Sequence, residues 1–294
     1  MYLFNLNFVI FNKKEVINMD FKEFEKEMKV RGFTQGTIES YLFHNYKFLK
    51  FAGKSPRDVN GDDIKQYLHY LVEARKAKPR TINLAISALK FYYQQFSNKK
   101  LFSRIKRSKE EKLLPRVLSK DEILKMIDAT TNPKHKLLIE LMYSSGLRVS
   151  ECVKLKIGDI DIGRKVGIVN QGKGRKDRLF LLSGKFLEDF NGYIAKRNNG
   201  NNYDAYVFND YANGHITTRT AEKIIKNAAK KAGIMKRVHC HMMRASFATH
   251  LFEENVKEEY IQRLMGHARR ETLQRYLSVK VGDALKVKSP LDNL

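Results

Sequence analysis

Cysteine, acidic side chains and long apolar runs are all scarce in this chain of 294 residues. The two cysteines, Cys152 and Cys240, stand far apart and outside any metal-ligand spacing. That argues against a zinc site or a disulfide framework and suits a reducing cytoplasm. The one strongly apolar terminus, Met1 to Phe11, has no basic leading segment and no small-residue cleavage site, and it is far short of the ~20 residues a membrane helix needs. Asp and Glu number 32 against 56 Lys and Arg, a formal charge of +24. Such an excess favours a polyanionic partner through counterion release, nucleic acid first. A lysine-favouring genome produces the same excess, so charge by itself leaves both readings open.

The length suits two domains, each with its own core. Helical patterning begins at Asp20, which makes Met19 a second candidate start and residues 1–18 either an over-extended reading frame or a short docking segment. Residues 19–97 read as a helical domain. Asp20 with Glu23 is a capping box before the stripe Phe21, Phe24 and Met28. Thr34 caps a second helix that ends at Gly53, and Ile64 to Val72 marks a third. A fourth runs from about Arg80 to Phe96 with Ile82, Ile86, Leu89 and Tyr93 inward. Between the last two lies a basic loop, Ala74 to Arg80, which offers Lys76, Lys78 and Arg80 to a DNA backbone or is simply a solvated turn. Residues 98–115 are charged, with broken periodicity, and suit a linker. In residues 116–294 a capping box at Ser119 and Glu122 starts further helices. From Asp159 the period changes: Ile160/Ile162, Val166/Ile168 and Leu179/Leu181 alternate around Gly163 and Gly172 to Gly174, the pattern of a small antiparallel sheet. The expected fold is mainly α with that sheet.

The chemistry concentrates near the C-terminus. His239 to His250 contains His241 and Arg244, Leu264 to Ala268 contains His267, and Gln274 to Tyr276 ends in a tyrosine. A tyrosyl hydroxyl attacking a phosphodiester needs a base for its proton and fixed cations for the charge that builds on phosphorus, and these are residues of the right types. Upstream, Arg148 stands three residues before Glu151 in a turn entering a helix, where a guanidinium can fork onto a phosphate while Glu151 orients it. Lys173 lies at a hairpin tip within Gln171 to Arg178, flanked by Gly172 and Gly174 and followed by Arg175 and Lys176. A flexible lysine there can protonate a leaving oxygen. Each residue alone has an ordinary structural use: a surface pair for Arg148 and Glu151, a solvated turn for Lys173, a helix C-cap for His267, a packed aromatic for Tyr276.

Taken together, the order and spacing of the six resemble the tyrosine recombinase (phage integrase) family, most closely its Xer-type members, an archaeal one by the short length and lysine-rich composition. The resemblance spans Asp20 to Leu294. It implies a SAM-like helical core-binding domain, including Lys78 to Asn83, that forms a C-shaped clamp with a tyrosine recombinase catalytic domain. It also implies roles: Arg148 and Arg244 clamp the scissile phosphate, Lys173 protonates the departing 5′ oxygen, His241 is the base near Tyr276, His267 hydrogen-bonds the phosphate, and Tyr276 forms a 3′-phosphotyrosyl link. No metal, cofactor or ATP is implied. Implied partners are double-stranded DNA and other protomers, in a tetramer on two sites with the C-terminal tail docked on a neighbour, in the cytoplasm at the nucleoid. Two features depart from the family pattern: Ala245-Ser246 stands where many members have His-Ser, and the arm from His267 to Tyr276 is unusually basic, with Arg269, Arg270 and Arg275. The expected activity is site-specific DNA recombination, for chromosome dimer resolution or mobile-element integration. The alternatives are a type IB topoisomerase-like nicking-closing enzyme and a catalytically inactive DNA-binding accessory protein.

Overall fold

Local capping chemistry sets most of the helix boundaries. In the computed structural model the described residues are 21–103, 105–109, 116–170, 177–197, 202–210, 214–266 and 289–293. They divide between two compact units, Met1–Leu113 and Leu114–Leu294.

The first unit is helical. Helix α1 (Lys22–Val30) starts at Phe21 without a side-chain cap, and Asp20 of the expected capping box lies outside the described residues. Helix α2 (Gln35–Ala52) is capped by Thr34, whose hydroxyl accepts from the Thr37 N–H. Helix α3 (Gly61–Glu73) carries a capping box that the sequence reading missed, Asn60 with Asp63. Helix α4 (Pro79–Lys90) runs directly into a π-helical turn, Phe91–Phe96, where a continuous α-helix was expected. The wider turn lets consecutive aromatic residues serve two faces. Tyr92 packs edge-on against Phe24 of α1 at 4.9 Å, and the buried Tyr93 meets Phe48 of α2 at 5.9 Å. Aromatic pairs of this kind contribute beyond their buried area.

Residues 99–103 and 105–108, within the stretch 98–115 read as linker, are fastened to this unit. Phe102 is buried, the Asn83 side chain exchanges two hydrogen bonds with the Ser108 backbone at 2.8 and 3.0 Å, and Lys99 Nζ donates to the Arg57 carbonyl.

The second unit gathers most of its helices on one large core, with a smaller apolar seam between α10 (Cys240–Glu253) and α11 (Glu258–Met265). Ser119 and Glu122 form the expected capping box of α5 (Lys120–Asp128). Helix α6 (Pro133–Ser145), capped by Asn132, is the central element, and the single-turn α7 (Val149–Cys152) follows it. Strands β1 (Ile160–Asp161), β2 (Val166–Val169) and β3 (Arg178–Leu181) form an antiparallel sheet in that order. The two alternating residues of β2 differ in burial: Val166 is buried whereas Ile168 is 42% exposed. Between them Gly167 pairs with Phe180, whose ring fills the place of the missing side chain, so that a Cβ there would lie 2.2 Å from it. Helices α8 (Gly184–Ala195), α9 (Thr218–Lys231), α10 (Cys240–Glu253) and α11 (Glu258–Met265) complete the unit. A closing 3-10 turn, Pro290–Asn293, returns to α6, α8 and α10 and buries Leu291. Among the described residues no helix is long and apolar enough to cross a membrane.

Candidate functional site

Two glycine turns bring the functional side chains of the second unit together. Gly146 ends α6 in the left-handed conformation, φ 59°, which turns the chain so that Leu147 enters the core and Arg148 stands at the N-cap of α7. Phe247 of α10 packs against this turn so closely that a Cβ on Gly146 would lie 2.3 Å from its ring. Gly266 ends α11 the same way, φ 59°, and packs against the Arg178 side chain. Only glycine meets both demands, positive φ and close approach, without strain.

Glu151, on α7, is the hub. Its Oε1 accepts from Arg148 Nη1 at 2.7 Å, and its Oε2 accepts from the Arg148 backbone N–H at 2.8 Å and from Arg178 Nη2 at 2.6 Å. Arg148 also donates from Nη2 to the Gly266 carbonyl at 3.3 Å. Arg244, one helical turn into α10 and only 2% exposed, bridges the two glycine turns, donating to the carbonyls of Gly146 and Met265. Three guanidiniums thus surround one carboxylate, leaving two positive charges uncompensated by ion pairs among the described residues.

The titration behaviour follows from that imbalance. Burial depresses the Arg244 guanidinium to about 10, and the charges of Arg148 and Arg178 push the same way against the opposing pull of Glu151. Arg178 is lowered too, by burial first, with Glu151 opposing. Burial raises the Glu151 carboxyl, but the Arg148 backbone bond, the Arg178 charge and the Arg148 guanidinium together outweigh it and hold the carboxyl below its ordinary value. Cations crowded in a low-dielectric pocket with too little negative charge attract an anion. A phosphate diester carries one negative charge and the phosphorane formed from it two, so the excess at this cluster matches the charge that develops during attack on phosphorus.

Of the residues singled out by sequence, Arg148, Glu151 and Arg244 come together here. His241 sits one turn before Arg244 on α10. It is exposed where Arg244 is buried, and its ring lies 6.4 Å from that of His239, which caps the helix. Lys173, Arg175, Lys176, His267, Arg269, Arg270 and Tyr276 lie outside the described residues. Arg178 is the member that sequence reasoning missed. It stands at the end of the Gln171 to Arg178 run, but nothing local shows that its side chain reaches α7. Among the described residues no group of three or more His, Cys, Asp and Glu is placed to hold a metal ion.

In the first unit, Lys76, Lys78 and Arg80 are all exposed around the start of α4. Lys78 is the N-cap residue and Pro79 follows, so the helix start has one N–H fewer to offer a phosphate and the cationic side chains carry whatever contact this segment makes.

Residues 116–282 match the phage integrase family and residues 21–102 match the phage integrase N-terminal SAM-like domain. Over 270 residues the chain is 33% identical to the tyrosine recombinase XerA of Pyrococcus horikoshii, covering 91% of this chain and 92% of that one. It is 30% identical to the tyrosine recombinase XerD of Oceanobacillus iheyensis, over 85% and 89% of the respective chains. Its fold is similar to that of a lambda integrase (75–356) dimer bound to a core site, with a TM-score of 0.67 and 20% identity over 86% of this chain and 92% of that one. The chain therefore belongs to the phage integrase family, as a tyrosine recombinase of the Xer type.

Proposed function

We propose that this recombinase cuts and rejoins DNA at a specific site with the cluster around Glu151 as its phosphate pocket. Arg148 and Arg244 hold the scissile phosphate. The Tyr276 hydroxyl attacks phosphorus, its proton passing to His241, while the bond to the 5′ oxygen breaks and Lys173 supplies that oxygen's proton. His267 hydrogen-bonds the phosphate. The product is a 3′-phosphotyrosyl link and a free 5′ hydroxyl. The link retains the energy of the phosphodiester, so a 5′ hydroxyl from a second duplex can reverse the step and complete an exchange. The observation that carries this reading is the surplus of two positive charges where three arginines, one of them buried, meet one glutamate among the described residues.

DNA is held along its backbone by Lys76, Lys78 and Arg80 of the first unit and by Arg175, Lys176, Arg269 and Arg270 of the second. The working assembly is a tetramer on two sites, at the nucleoid in the cytoplasm. Within one chain, residues 289–293 occupy a seat made by α6 and α8: Ser289 Oγ donates to the Ser144 carbonyl at 2.8 Å, Asp292 Oδ1 accepts from the Gly184 N–H at 2.7 Å, and Leu291 is buried. In the tetramer the same segment takes the equivalent seat on a neighbouring protomer.

The test starts by sequencing host DNA trapped covalently on the protein, which supplies the site for a suicide duplex nicked beside the scissile bond. Wild-type protein should form a protease-sensitive adduct with that duplex, and both Tyr276→Phe and Arg148→Ala should abolish it. An adduct persisting in Tyr276→Phe removes the nucleophile assignment; one persisting in Arg148→Ala removes the pocket.

A further inference from the structure

Arg178 reaches the cluster from β3, the strand that begins just after the run containing Lys173, and makes one ion pair, Nη2 to Glu151 Oε2 at 2.6 Å. Its side chain is 13% exposed. Among the described residues the buried Nε and Nη1 groups have no hydrogen-bond partner. The Gly266 turn closes over the stem, since a Cβ on Gly266 would fall 2.4 Å from Nε. An arginine kept for stability alone satisfies its donors. One buried with two of them idle returns little stability for the cost of its burial, so the fold alone does not call for a cation in this slot. The slot instead places a cation where the Glu151 carboxylate must be shared.

That sharing has a consequence for Arg148. A lone carboxylate beside a guanidinium forms a two-bond fork and neutralises it. Here Oε2 is engaged by Arg178 and by the Arg148 backbone N–H, so only Oε1 faces the Arg148 guanidinium, through a single 2.7 Å bond from Nη1. Nη2 is left turned toward the Gly266 carbonyl, one residue before His267. We infer that Arg178 is a positioning residue of the phosphate pocket: acting through Glu151, it fixes the orientation of Arg148 and keeps the shared carboxylate from neutralising it. Arg178 itself does not touch the phosphate.

This inference rests on the proposed role of Arg148, and the experiment separates the two. Single-turnover cleavage of the suicide duplex, and affinity for the same duplex, are measured for Arg178→Met, Arg178→Lys, Glu151→Gln, Arg148→Ala and the Arg178→Met/Glu151→Gln double variant. Methionine fills the slot without a charge but takes one charge-assisted bond from Glu151 Oε2, while Arg148 still pairs with Glu151, so Arg178→Met should unfold below wild type and above Glu151→Gln. It should cleave about 10- to 100-fold more slowly, with affinity within about threefold of wild type because the bulk of the DNA contact lies elsewhere. Arg178→Lys should recover part of the rate. In the Glu151→Gln background the methionine substitution should have no further effect, because the residue it acts through is already gone. An undiminished rate in Arg178→Met overturns the inference, as does a loss that is fully additive with Glu151→Gln. Cleavage surviving in Arg148→Ala removes the pocket reading beneath it, whereas an inactive Arg148→Ala beside a fully active Arg178→Met removes this inference alone.

Discussion

Replacing Glu151 by glutamine keeps the shape of the side chain and deletes the one negative charge that, among the described residues, is bonded within the arginine cluster. Glu151 accepts three hydrogen bonds from Arg148 and Arg178, between 2.6 and 2.8 Å. Charge-assisted bonds are worth about 1.5–3 kcal/mol each, but the plain sum overstates the loss, since glutamine still accepts through its carbonyl and the Arg148 side chain is 28% exposed. Breaking one side of a buried ion pair costs about 3–5 kcal/mol. In a unit the size of Leu114–Leu294, 1 kcal/mol moves the unfolding midpoint by about 2–4 °C, which gives a drop of roughly 6–20 °C. Glutamine also leaves three guanidiniums with no counter-charge, so an anion that binds the folded state should restore more stability to the variant than to wild type. At 100 times its dissociation constant it returns about 2.7 kcal/mol.

Scanning calorimetry of the full chain, in chloride and in sulfate at matched ionic strength, measures both effects. Sulfate strengthens apolar burial in any protein, so the quantity to read is the difference between the two proteins. The pH dependence has a fixed sign. The Glu151 carboxyl is held below its ordinary 4.5, so its stabilisation is present above that pH and is lost as pH falls through the folded-state value. The gap between wild type and Glu151→Gln should therefore close on acidification. A variant that melts within about 1 °C of wild type in chloride, or that gains no more from sulfate than wild type does, refutes the account of this cluster as an anion-seeking pocket.

Gly266→Ala and Gly233→Ala separate backbone strain from crowding. Both glycines have positive φ, 59° and 70°, but only at Gly266 does a new Cβ meet an atom, Arg178 Nε. Gly233→Ala should cost about 1–2 kcal/mol of stability and leave cleavage unchanged, whereas Gly266→Ala should cost more and slow cleavage; equal behaviour in melting and cleavage would dissolve the claim that Gly266 shapes the site. Glu140 yields a prediction of opposite sign to Glu151. It is fully buried, with Lys136 Nζ 3.8 Å away, and burial together with the neighbouring Asp189 pushes its carboxyl up to about 8. The Lys136 ammonium lies 2.8 Å from the Asp189 carboxylate, so Asp189 holds the charge and Glu140 the proton. The folded state then binds a proton more tightly than the unfolded chain, and stability falls as pH rises from 4.5 toward 8. Glu140→Gln should remove most of that slope, roughly 2–4 kcal/mol between pH 5 and pH 8 by urea unfolding; an unchanged slope would place the titration elsewhere.

Features decided within a few residues were legible in the sequence. Thr34 and Ser119 cap helices because their hydroxyls bond N–H groups three residues on, and that spacing is visible in any chain. Arg148, Glu151 and Arg244 were identified because a phosphate-transfer site demands particular residue types in a particular order. What stayed hidden depends on partners distant in sequence. The π-helical turn at Phe91–Phe96 uses the residues of an ordinary amphipathic helix, and it is packing on Phe24 and Phe48 that suits the wider winding. Asn83 looks like any polar helix residue until Ser108 comes back to meet it. Arg178 sits in a run that pattern reasoning assigns to a hairpin turn, and only the approach of β3 to α7 and α11 gives its side chain a task.

The cluster works against the fold that holds it. Burial first and the neighbouring guanidiniums second depress Arg244 and Arg178, and among the described residues the buried Arg178 Nε and Nη1 groups lie idle, costs that apolar residues of similar size avoid. The surrounding elements are correspondingly over-determined. Phe247 and Leu251 on α10 pack with Ile261 and Leu264 on α11, so the helix that carries Arg244 and the helix that ends at Gly266 share one apolar seam. Arg244 then ties the Gly146 turn to Met265, next to that seam. Because the two carbonyls on Arg244 belong to the two glycine turns, a displacement of either turn changes the direction in which the guanidinium points. The end of α6 is also where the C-terminal segment docks: the Ser144 carbonyl takes Ser289, and the Gly146 carbonyl, two residues on, takes Arg244. An exchange of that segment between protomers would therefore act on the same turn that aims Arg244, the arginine proposed to hold the phosphate, through backbone and without a relay of side chains.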